Sequence, residues 1–120
     1  MSELVTKEKN GVLVIGFTVD TIRSGEAVQR IGEELLNLAH SRGGKVLLDL
    51  GGLQQMPSLM IGKIIALGKE CADHQISLRL CNLQPHIKEV FKVTGLDKTL
   101  KIHDSEESAM AAFQKKGWFW

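Results

Sequence analysis

Proline is scarce in this 120-residue chain, two in all, and no low-complexity or internally repeated stretch accompanies it. That argues against a disordered tail or linker. Cysteine is equally scarce. Cys71 and Cys81 form no CxxC, so they read as reduced, buried, small apolar residues rather than a redox or metal pair. No apolar run approaches the ~20 residues that span a bilayer, which excludes membrane insertion. The opening MSELVTKEKN lacks the apolar stretch of a signal peptide, and a cytoplasmic location is expected. Charge of one sign is not in excess either. Fifteen basic and fourteen acidic residues leave a net +1, without the clustered basic face of a nucleic-acid binder.

What is present is material for a core. The chain is 43% hydrophobic and 24% charged, which suits one domain over residues 1–120. LVTKEKNGVLVIGF reads as a hairpin, because Asn10-Gly11 is a strong type I′ turn signal. Its second arm, Val12 to Phe17, is nearly all apolar and suits a central strand covered on both faces; the more polar first arm suits an edge. Val28, Ile31, Leu35 and Leu38 recur at helical spacing from Glu26 to about His40. KVLLDLGGL follows as a buried strand broken by Gly51-Gly52.

A second helix opens after Pro57-Ser58, with Ile61, Ile64, Ile65, Gly68 and Ala72 expected on its inner face. ISLRLCNL alternates Ile76, Leu78 and Leu80 against Ser77, Arg79 and Cys81, as a strand with one wetter face does. Pro85 starts a short helix ending near Gly95, and LKIHD is a last short strand. Asp104 is expected to cap a final helix with Glu107 as its capping-box partner, Ala109, Ala112 and Phe113 facing inward and Lys115-Lys116 at its negative end. The order β-β-α-β-α-β-α-β-α is an α/β fold, a mixed sheet with an N-terminal hairpin and parallel later strands, helices packed on the sheet.

Catalytic chemistry is hard to find. His40, His74, His86 and His103 lie at helix ends, loops and a strand end, and no pair of them has i, i+4 spacing, so no metal site is expected. GxSxG, GxxxxGK[ST] and GxGxxG are all missing. Asp20 and Asp49 near strand ends can form an acid–base pair in principle, but turn capping and solvent exposure are the simpler reading. Nothing suggests an enzyme or a cofactor.

KVLLDLGGLQQMPSLMIGKIIAL resembles the signature of STAS domains, the fold of bacterial anti-sigma factor antagonists. In that family a buried strand ends in Asp, a short turn with apolar residues follows, and a Ser or Thr opens a helix of small and aliphatic residues. Asp49 corresponds to the strand-end Asp, Leu53 and Met56 to the turn, Ser58 to the phosphorylatable serine, and Ile61-Gly62 to the helix start. LRLCNLQPHIKEVFKVTGLDKTLKIHDSEESAMAAF is similar to the family's C-terminal half in order and spacing, and Asp20 lies near its loop acid. Two positions depart from the pattern: Pro57 replaces an acidic or small polar residue, and Met60 a small one.

The resemblance implies a binding switch. Such domains bind an anti-sigma factor, commonly a serine kinase, and are switched off by phosphorylation of the serine, here Ser58. A metal-dependent Ser/Thr phosphatase reverses it. Asp20, Asp49, Pro57, Leu59 and Met60 are then expected on the partner-binding surface. An alternative within the family is an unphosphorylated interaction subunit of a transporter or signalling assembly, with Ser58 as a cap or contact residue.

Local physics is compatible with a switch. A helix N-terminus has N–H groups without intrahelical partners and about half a positive charge, and both suit a phosphate. Either Met56 is the cap with Ser58 in the first turn, or Ser58 is itself the cap. Leu59 and Met60 broaden the apolar face and suit an adaptable contact surface; packing under the preceding loop is the other reading. Trp118, Phe119 and Trp120 are expected to dock on the domain or to form a partner or dimer patch.

Overall fold

The computed structural model describes residues 3–116, with side chains through residue 114. The expectations for Lys115-Lys116 and for Trp118, Phe119 and Trp120 concern side chains outside that description. The elements are β1 (Leu4–Lys9), β2 (Val12–Phe17), α1 (Gly25–Arg42), β3 (Lys45–Asp49), α2 (Ser58–Asp73), β4 (Ser77–Cys81), α3 (Pro85–Val93), a 3₁₀ turn (Leu96–Lys98), β5 (Lys101–His103) and α4 (Glu106–Lys116). Their order is the expected one. Asn10 (φ 52°) and Gly11 (φ 79°) make the left-handed pair that the hairpin turn needs.

The sheet runs β1-β2-β3-β4-β5, with β1 antiparallel to β2 and every later pair parallel. Both faces are covered, and side chains along β2 alternate between two cores. Leu13, Ile15 and Phe17 join Val46, Leu48 and Leu80 under α1, α2 and α3. Val12 and Val14 join Leu47 and Cys81 under Ala109, Met110 and Phe113 of α4. Apolar residues are needed at every β2 position that faces a helix layer, which explains the near-continuous run.

The second core corrects the reading of β4. Arg79 and Cys81, expected on a wetter face, are both buried. The Arg79 guanidinium lies 5.2 Å from the centroid of the Phe113 ring and its Nη1 is 2.9 Å from His103 Nε2. Burial, and then the Arg79 charge, hold His103 below the ordinary histidine pKa. An alternating pattern cannot reveal that a later helix will cover the polar side.

Two helix details differ as well. The α4 cap is Ser105, not Asp104: Ser108 N–H donates to Ser105 Oγ at 3.1 Å. Asp104 is drawn away by Lys88, whose Nζ donates to its Oδ1 at 2.6 Å. In α2 the buried residues are Met60, Ile64, Leu67 and Cys71. Ile65 and Ala72, expected inside, are exposed, and Ile61 and Gly68 are half-buried at the border. Apolar residues lie on several sides of this helix, so spacing alone leaves its rotation open. Packing against the sheet selects the Met60–Ile64–Leu67–Cys71 stripe.

Candidate functional site at the entrance of helix α2

The segment from β3 to α2 is held from within. Leu50 and Leu53 are fully buried, and Leu53 N–H closes a turn on the Leu50 carbonyl at 3.1 Å. Asp49 Oδ1 accepts from Gly51 N–H at 2.9 Å and from Asn82 Nδ2 at 3.1 Å. The pairing of Asp49 with Cys81 in the parallel register sets Asn82 beside it. Gln84 Nε2 donates to the Gly51 carbonyl at 3.2 Å. A Cβ on Gly52 would stand 2.8 Å from the Phe17 carbonyl oxygen, so only glycine lets the turn pass this close to the end of β2.

The loop after β2 is tied to the same turn. The Asp20 carbonyl accepts from Gln54 N–H at 2.8 Å and from Gln55 N–H at 3.2 Å. Two backbone hydrogen bonds therefore position the residues just ahead of Pro57. The Asp20 side chain itself is exposed.

Pro57 is the N-cap, extended at φ −63° and ψ 150°, and no side chain caps the helix. Neither Met56 nor Ser58 takes the cap position that sequence offered them. Met60 and Ile61 N–H donate to the Pro57 carbonyl at 2.9 and 3.3 Å. Ser58 is the first helical residue, exposed, with no acidic side chain in its turn. Leu59 beside it is 56% exposed and packs its edge near Gly25 at the start of α1.

Met60 is fully buried, which corrects its expected role on the contact surface: it anchors the first turn to the core. Ile65, which the sequence pattern had put inside, takes the opposite part, at 42% exposed. The exposed residues of α2 from Ser58 to Ala66 are thus Ser58, Leu59, Gly62, Ile65 and Ala66, all uncharged, with the half-buried Lys63 at their edge. No signal in the helical spacing singles out Ile65. Asp49 stands apart, with one carboxylate oxygen committed to its turn, on an open hollow of about 410 Å³ lined also by Lys7, Gly16, Gly52, Asn82 and Glu106.

Neither cysteine offers a nucleophile. Both are free and buried. Burial first, then nearby carboxylates, push Cys71 up to about 11 and Cys81 up to about 12, the reverse of a reactive thiol.

The chain matches the STAS domain family over residues 3–109. It belongs to that family. A curated relative, a putative anti-sigma factor antagonist (BtrV) of Bordetella bronchiseptica, is 30% identical over 110 residues, covering 92% of this chain and 94% of the relative. The solved anti-sigma-factor antagonist STAS domain protein of Planctomyces limnophilus superposes with a TM-score of 0.77 at 25% identity, over 92% of this chain and 97% of that one. The Bacillus cell fate determinant SpoIIAA, solved in its phosphorylated form, shares the fold with a TM-score of 0.66 at 19% identity, over 91% of this chain and 97% of that one. The five-stranded sheet and its four helices are thus those of a STAS domain resembling anti-sigma factor antagonists. Among the described residues no helix is long and apolar enough to cross a membrane.

Proposed function

We propose that this STAS domain, one domain over residues 1–120, is a cytoplasmic protein-binding module and not an enzyme. It binds an anti-sigma factor of the serine-kinase kind through the entrance of α2, and phosphorylation of Ser58 ends that binding. A Ser/Thr phosphatase restores it. The observation that carries the reading is the uncharged outward face of Ser58, Leu59, Gly62, Ile65 and Ala66. A surface helix normally presents charge to water, and an exposed apolar face suits a protein contact.

Ser58 is suited to control such a contact. Its side chain caps nothing, so it is free to react. A phosphate there brings roughly −1.5 to −2 charges, tolerated in the free domain by the helix N-terminus. Docking an apolar face over that charge means stripping its water, which is costly for an unpaired ion. Leu59, Pro57 and the Asp20 loop surround this point and complete the proposed contact. SpoIIAA, which shares this fold, exists in a phosphorylated form.

The test is to incubate the chain with serine-kinase anti-sigma factors from the same cell, map phosphate by mass spectrometry, and measure partner binding. Phosphate is expected at Ser58, with Ser58→Ala binding and Ser58→Asp failing to bind. If no phosphate appears at Ser58 and both variants bind like the parent chain, the switch is wrong; capture of transporter subunits instead of a kinase would favour an unphosphorylated STAS subunit.

A further inference from the structure

The far end of α2 carries a second cluster, built from two helices. A Cβ on Gly32 would stand 2.9 Å from Lys63 Cδ, so α1 and α2 touch there. Following α1 from Gly32 to His40 and α2 from Lys63 to Glu70 brings the chain to a second meeting point. His40 Nε2 lies 3.0 Å from Glu70 Oε2. Glu70 and His74 are one turn apart on α2, with His74 Nδ1 3.5 Å from the same oxygen. The two imidazoles stand edge to face, ring centroids 4.8 Å apart.

We infer that His40, Glu70 and His74 form a binding site for a divalent transition metal of the zinc class, which clips the C-terminal ends of α1 and α2 together. Two imidazoles and one carboxylate are a ligand set that zinc accepts, with water in the fourth position. One ligand atom from each of the three residues already lies within 4.8 Å of the other two. Tetrahedral bonds of about 2.1 Å require ligand atoms about 3.4 Å apart. Closing the site therefore asks for movements of about 1.5 Å at most, in side chains that are 40–53% exposed and free to adjust. The His74 ligand atom is Nδ1, 3.5 Å from Glu70 Oε2; it also lies 3.0 Å from the Glu70 carbonyl oxygen, a contact that a metal on Nδ1 would replace. His40 is in the last turn of α1 and His74 is the C-cap of α2. Both helices thus direct their negative ends toward the cation.

The experiment uses the untagged full chain, stripped with chelator and titrated with Zn²⁺ by calorimetry, with Co²⁺ as a spectroscopic stand-in. One ion per chain is expected, with a rise in Tm of a few degrees that chelator reverses, and a visible Co²⁺ band of tetrahedral character. His40→Ala and His74→Ala should each weaken Zn²⁺ binding at least tenfold and remove the band. Glu70→Gln should weaken it less, and all three variants should keep the parent circular dichroism because the side chains are exposed. Zn²⁺ binding that is absent, or equal in the parent and both histidine variants, overturns the proposal. None of these readouts depends on Ser58 or on a sigma-factor partner, so the proposal and the proposed switch fail separately.

Discussion

The two ends of α2 are built on opposite plans. At the N-terminal end the exposed residues from Ser58 to Ala66 are all uncharged, Lys63 between them is half-buried, and the inward Met60 is fully buried. At the C-terminal end Lys69, Asp73 and His74 are exposed, and the half-buried Glu70 pairs with His74 and with a histidine of the neighbouring helix. About 24 Å separates them at 1.5 Å per residue over 16 residues. One end is left apolar and open, as a protein contact requires. The other is polar and already partnered inside the molecule. A single helix can thus offer a surface for docking while its other end is held.

The largest test of this contrast is Met60→Ala. It removes a fully buried side chain in the same turn as Ser58 and should cost about 2–5 kcal/mol of stability, read by urea unfolding. Leu59→Ala, one residue away but 56% exposed, should change stability by less than ~0.5 kcal/mol. Equal losses would mean that the first turn is not divided into a buried and an open side.

Ile65→Glu should weaken partner binding about tenfold, or ~1.4 kcal/mol, since it sets a charge in the middle of the apolar face. Its effect on unfolding should be much smaller than that of Met60→Ala. A variant that binds normally would remove this face from the contact.

Gly62 and Gly68 sharpen the comparison by stability alone. Nothing lies within 4 Å of a Cβ added at Gly62, and Gly62→Ala should stabilise by about 0.5–1 kcal/mol through helix propensity. At Gly68 the new Cβ would stand 2.6 Å from Leu100 Cδ2, so Gly68→Ala should show less of that gain, or a loss. The smallest expected effect is that of Ser58→Ala. With no cap hydrogen bond to lose, it should shift unfolding by less than ~0.5 kcal/mol, below the ~1 kcal/mol of a working cap.

Much of this was legible from residue pattern. Asn10-Gly11 specifies its turn through backbone sterics, and Pro85 and Gly95 bracket α3 by the same kind of local rule. The element order and the position of Ser58 at a helix entrance follow from spacing and from Pro57. These are short-range matters, settled by a residue and its immediate neighbours.

Other features needed the whole fold. The rotation of α2, with Met60 inside and Ile65 outside, depends on which apolar side meets the sheet, because the helix has apolar residues on more than one side. Ser105 caps α4, while Asp104 pairs with Lys88 of α3. Arg79 is buried because a helix formed 27 residues later in sequence crosses its face of the sheet. His40 and His74 carry no ligand spacing along the chain, yet they meet at Glu70 because α1 and α2 pack side by side. The sequence by itself determined the elements, their order and the exposed serine at the helix entrance. Only the tertiary structure decided which side of each element faces water and which distant side chains share a site, since those depend on contacts between segments that no local pattern encodes.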